Sequence, residues 1–111
     1  MPLNKAMMIT PEMRQAEAMQ AAVETYRKAI QVLIDGKAQE KQYDDGNSLA
    51  SYVNSTVPEW AAEAQAFVVW RDQVWAYALT ELAKVKSSER EQPSVDEFLA
   101  ELPAFQWTAA A

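Results

Sequence analysis

Carboxylates are the groups in this chain whose type and spacing come nearest to chemistry. Glu59 and Glu63 stand one helical turn apart just after Val57-Pro58, and a pair of acids is the minimum equipment for general acid–base work. The chain has no histidine and no cysteine, so the usual general base, the commonest metal ligand and the thiolate nucleophile are all missing. Without a third group to orient or activate them, Glu59 and Glu63 read more simply as acids placed where the positive end of a helix macrodipole favours them. Asp44-Asp45-Gly46-Asn47 touches the pattern of a calcium loop but lacks its spacing and its closing glutamate. There is no glycine-rich phosphate cradle, nucleophile elbow or interleaved basic and aromatic patch. The expectation is a non-enzyme with no catalytic residue, cofactor or metal. Arg71 is the remaining oddity, a charge set between Val68 and Trp75 in an apolar stripe. Its expected place is with the stem on tryptophan and the guanidinium stacked or bonded to a carboxylate or carbonyl of another helix; an anion site is the alternative.

The elements that would position such groups are helices. Val57-Pro58-Glu59 puts proline at the first helical position with an acid beside it, and the pattern that follows predicts one helix over 58–85. Ala61, Ala64, Val68, Arg71, Trp75, Ala78, Leu82 and Val85 step by three and four, with Trp60, Phe67 and Val74 widening the stripe. Thr10-Pro11-Glu12 is a second start of the same kind, opening a helix expected over 11–42. Along it Ala16, Met19, Val23, Tyr26, Ile30 and Leu33 form a seam of about two and a half heptads, flanked by Ala22, Ala29 and Ile34. Gly36 is the weak point of that helix. Asp44-Asp45-Gly46-Asn47-Ser48 reverses the chain, on the grounds that Gly and Asn tolerate φ > 0 and that Asp and Ser bond nearby backbone; Ser48 is then placed to cap a short connecting helix over 49–53. Ser94 three residues before Glu97 is a capping box for a last helix over 95–102, stopped by Pro103. The expected fold is therefore all-α: a long antiparallel helical hairpin, a possible short connecting helix and a short third helix, forming one domain over 11–103. Its core should place Trp60, Phe67, Trp75 and Leu82 against Tyr26, Ile30 and Leu33, with Arg71 among them. Outside lie an arm, 1–10, and an aromatic tail, 104–111. The apolar groups least bound to the bundle are Met7, Met8 and Ile9 in the arm and Phe105 and Trp107 in the tail, which makes these five the candidate partner contacts, with packing on their own core as the alternative.

Bulk properties narrow the partners. A net charge of −6 over 111 residues opposes binding to nucleic acid or anionic membranes, since both depend on Lys and Arg meeting phosphates. No stretch resembles a signal segment or a membrane span, and the lack of cysteine suits a reducing cytosol, so a soluble protein without an address label is expected.

From about Gln42 to Trp107 the chain resembles the C-terminal helical region of small proteins of bacteriophage and prophage tail modules, including tail fibre assembly proteins. The likeness is carried by Tyr43 before a turn, Ser51-Tyr52, Val57-Pro58, Glu63 to Phe67, Trp70-Arg71-Asp72, Val74-Trp75, Glu81-Leu82, and Pro93-Ser94-Val95 through Leu99 to Pro103 and Trp107. It implies a protein of tail or tail-fibre assembly that acts by binding a tail or tail-fibre protein. Apart from the likeness, the seam of the first helix and the part of the Trp60 to Leu82 face that one short added helix leaves uncovered allow a homo-oligomer. The place implied is the bacterial host cytoplasm during assembly, or the virion tail. Larger relatives carry an extra N-terminal domain, whereas here only the helix from Met13 to Gln42 precedes the module, so a departing chaperone and a resident tail component both remain open. A host-side adaptor or regulatory subunit is the rival reading of the same acidic helical surface.

Overall fold

A computed structural model describes residues 10–107, and within them the chain is all-α: α1 (Pro11–Gln39), α2 (Gly46–Ala50), α3 (Pro58–Lys86) and α4 (Val95–Glu101). The arm that carries Met7, Met8 and Ile9 lies outside the described residues. α1 and α3 run antiparallel, with Lys41 beside Glu63 at the closed end and Met19 beside Val85 at the open one.

Each long helix begins as its proline requires. Thr10 Oγ1 accepts from Met13 N at 3.1 Å ahead of Pro11, while Val57 precedes Pro58 without a side-chain cap. Both helices end alike. Tyr43 N donates to Ala38 O and Gln42 N to Gln39 O, and in the same way Glu89 N donates to Lys84 O and Ser88 N to Val85 O. These paired closing bonds need a left-handed residue, here Gln42 (φ 69°) and Ser88 (φ 63°) rather than glycine. That is why α1 stops at Gln39 instead of reaching Gln42. Gly36, where a break was conceivable, stays helical.

The reversal after α1 is built differently from the expectation. Asp45, not Ser48, caps α2, its Oδ1 accepting from Ser48 N at 2.7 Å, so the short helix sits at Gly46–Ala50 rather than 49–53. Gly46 has no positive φ. It is glycine because a Cβ there would lie 3.1 Å from Ile34 Cγ2 and 3.2 Å from Phe67 Cζ. α2 therefore plugs the closed end of the hairpin at close range, with Gly46 N held by Asp35 Oδ1 at 2.9 Å.

The core is a seam of Tyr26, Ile30, Ile34 and Ala38 from α1 against Ala64, Phe67, Trp70, Val74, Ala78 and Leu82 from α3, closed by Leu49, Phe98 and Leu102. Four expected members are not in it: Leu33 is 37 % and Trp60 45 % exposed, Trp75 packs only against its edge, and Arg71 stays outside. On α1 the buried residues step by four throughout, which carries the seam from Leu33 to Ile34 and on to Ala38. On α3 the buried face is centred near Phe67 and Val74, rotated by roughly 60° from the expected stripe at about 100° per residue. Trp75 is consequently half-buried against the core edge, and Trp70, left out of the expected core, is inside it. Trp60 lies in the first turn of α3, beyond the reach of α1.

Candidate functional site

Between α1 and α3 the hairpin has two grooves, one on each side, and the sequence after α3 decides which is filled. The capping box starts the process: Ser94 Oγ accepts from Glu97 N at 3.1 Å, and Glu97 Oε1 accepts from Ser94 N at 2.9 Å. The backbone and hydroxyl of Ser94 hold the Glu97 carboxyl below its ordinary range. This start aims Phe98 into the groove, where its ring centre lies 5.2 Å from Tyr26 and 6.4 Å from Tyr77. Three donors then pin the returning segment. Tyr26 Oη donates to Pro93 O, Tyr77 Oη to Glu101 Oε1 at 2.7 Å, and Trp70 Nε1 to Pro103 O at 2.7 Å.

A charged clamp closes over the same groove. Arg90 reaches Glu101 with both terminal nitrogens, at 2.9 and 2.8 Å, and Glu81 Oε1 at 2.9 Å. The Arg90 fork, helped by the Tyr77 hydroxyl, holds the Glu101 carboxyl down at about 2, while the Glu101 and Glu81 carboxylates raise the Arg90 guanidinium further. Glu81 is lowered by Lys84 and then by Arg90, and Tyr77 is raised by its bond to Glu101.

Phe105 and Trp107, expected as candidate partner contacts, continue this packing on their own chain. Phe105 lies 5.3 Å from Trp70, Trp107 stands edge-on to Phe105 at 4.8 Å, and Lys37 and Lys41 approach the two rings at 6.0 and 5.5 Å. Both are half-buried against the core, which is the packing alternative of the two open at the sequence level. Trp107 Nε1 is buried without a hydrogen-bond partner among the described residues. Arg71 does not reach another helix; its nearest acceptor is the neighbouring Asp72 at 2.9 Å.

Among the described residues nothing fills the opposite groove. Tyr77 and Leu79 are two residues apart in α3, so they point to nearly opposite sides, and Leu79 is 59 % exposed. Ala16, Met19 and Val23 of α1 face Leu79, Leu82 and Ala83 of α3 across a cleft of about 660 Å³. Arg27 and Lys86 stand at its rim with Glu24, which pairs with Arg27 at 2.7 Å. Toward the closed end Trp75, Arg71 and Val68 continue the face at helical spacing. The sequence places Ala16, Met19 and Val23 on a seam and implies that one short added helix leaves part of the apolar face uncovered, but it carries no signal for which side α4 takes.

Among the described residues no group of three or more acidic, histidine or cysteine side chains could hold a metal, and no helix is long and apolar enough to cross a membrane. No protein-family model, curated protein or solved structure matches the chain.

Proposed function

We propose that this is a bacteriophage tail or tail-fibre assembly or structural protein, working by helix-mediated contact with another protein and not by catalysis. The observation that supports it is the apolar groove between the open ends of α1 and α3, which no described residue fills. An apolar cleft between two helices, rimmed by polar groups, is a shape into which a partner helix can pack. The occupant it suits is an amphipathic helix of a tail protein, laid into the groove by its apolar face. Arg27 and Lys86 against the single Glu24 make the rim locally basic on a chain of net charge −6, so an acidic edge on that helix is complementary.

The test is co-expression with the tail proteins of the same phage or prophage, followed by quantitative mass spectrometry of purified particles and of assembly intermediates. The wild-type chain is expected to travel with one tail protein, and Leu79→Glu to lose that association while keeping its helical circular dichroism. Presence in finished particles assigns a resident part; presence in intermediates alone assigns a chaperone. A chain that sediments alone, with no tail protein in either fraction, ends the proposal.

A further inference from the structure

The closed end of the hairpin carries a second cleft, of about 530 Å³, independent of the groove and of the reading built on it. Three of its lining residues are aromatic. Tyr43, after the closing turn of α1, stands 5.5 Å from Tyr52, and Tyr52 meets Trp60 edge-on at 5.7 Å. Trp60 is 45 % exposed although it is a large aromatic at the start of a helix otherwise used for the core. Nothing in the folding of the chain demands an exposed tryptophan there, since α1 ends before reaching it.

The other lining groups are mostly anionic. Glu40, Glu59 and Glu63 share the cleft with one cation, Lys41. Glu63 is committed, accepting from Tyr43 Oη at 2.9 Å and pairing with Lys41 at 3.5 Å. Lys41 also approaches the Trp107 ring at 5.5 Å. Glu40 pairs with Lys37 at 3.1 Å, whereas Glu59 enters no ion pair among the described residues. Burial and the Glu63 carboxylate push the Tyr43 hydroxyl up to about 12, so it remains a neutral donor that fixes its ring and Glu63 together. Rings held at steep angles to one another, with a carboxylate beside them, are what a weakly hydrated cation needs: its charge meets the negative faces of the rings, and its alkyl or planar surface is removed from water. An open cleft suits a headgroup rather than a whole enclosed ligand.

We infer that the cleft formed by Tyr43, Tyr52, Trp60 and Glu59 binds an organic cation of low hydration, a quaternary ammonium or a guanidinium group. The group can be a free small molecule or the side chain of a partner, and in either case Trp60 and Tyr52 supply the ring faces and Glu59 the charge. A small metal ion is not the ligand, because rings replace its water poorly.

The experiment uses the full chain and four probes: choline, methylguanidinium, potassium, and 3,3-dimethyl-1-butanol, the uncharged shape analogue of choline. Binding is followed by two-dimensional NMR through the Trp60 indole N–H, assigned by its loss in Trp60→Phe. Saturable shifts confined to Trp60, Tyr52 and their neighbours are expected with choline or methylguanidinium, and not with potassium or the alcohol. Trp60→Ala should weaken cation binding about tenfold or more, and Glu59→Gln should weaken it several-fold. In those variants binding is read from the Tyr43 and Tyr52 neighbours, and circular dichroism should match the parent because Trp60 and Glu59 are exposed. A peptide carrying arginine or trimethyllysine, titrated beside the free cations, separates a partner side chain from a small molecule by which of them binds tighter. Equal binding of the uncharged analogue, or no saturable shift with either cation, overturns the inference.

Discussion

The two grooves of the hairpin are made by the same pair of helices and differ in what lines them. The filled one presents Tyr26, Trp70 and Tyr77, three aromatic side chains that each aim a hydrogen-bond donor at one point of the returning segment. The one that no described residue fills presents Val23, Leu79 and Ala83 beside the edge of buried Leu82, with its donors, Gln20, Arg27 and Lys86, on long flexible stems rather than on rings fixed in the core. Apolar burial is non-directional, so it holds a segment down without saying where along the groove it stops. Donors meeting Pro93 O, Glu101 and Pro103 O set the register, and a buried carbonyl left unbonded is costly enough to enforce it. The chain thus specifies its own C-terminal segment on one side, while the other side offers area without register and leaves that to whatever binds.

The sharpest way to break this contrast is to empty the filled groove. Phe98→Ala removes a fully buried ring and should cost about 3–5 kcal/mol in urea unfolding, whereas Leu79→Ala on the open side should fall within about 0.5 kcal/mol. If the two losses prove equal, Leu79 is part of the core and the open groove is not a free surface. Trp70→Phe tests the donors alone, since it keeps a ring and leaves Pro103 O unbonded. A loss of about 1–3 kcal/mol is expected, with faster amide hydrogen exchange over residues 95–107 and no matching change near Val23.

Acid should loosen the filled side through its clamp. The Glu101 carboxyl is held at about 2 against an ordinary 4.5, so the unfolded chain binds more protons than the folded one between those values. The stabilisation is present above pH 4.5 and is lost as pH falls toward 2; Glu81 and Glu97, also lowered, act in the same direction. Arg90→Gln should flatten part of that loss, measured as unfolding midpoint against pH, and an unchanged acid limb would remove the clamp from the account. The last effect expected is a small gain. A Cβ at Gly36 meets nothing within 4 Å, so Gly36→Ala should stabilise by about 0.5–1 kcal/mol and leave the difference between the grooves untouched.

Much of the fold was legible in local residues. Thr10-Pro11, Val57-Pro58 and the Ser94–Glu97 box each mark a helix start within a few bonds of the residue that acts, and all three helices begin there. The end of α1 was misplaced by three residues because Gln42 takes a left-handed conformation that glycine or asparagine would have announced. Tyr43 and Tyr52 were visible only as parts of a resemblance, and nothing local says that they meet Trp60.

What the sequence determined by itself, then, is the class and the starts of the two long helices and of the last one, because caps, prolines and periodicity act over a turn or less. The rotation of each helix about its axis was beyond it: Leu33 or Ile34, Trp75 or Trp70, are equally apolar choices, and helices facing each other over many turns select between them. The fate of Phe105 and Trp107 was equally undecided, since an aromatic tail is indifferent to partner or core until Tyr26, Tyr77 and Trp70 bring it into register. Trp60 shows the same limit from the other side. Its spacing fits the stripe, but only the pairing of the helices shows that α1 has ended before reaching it, and with Tyr52 edge-on against it the ring still stays 45 % exposed.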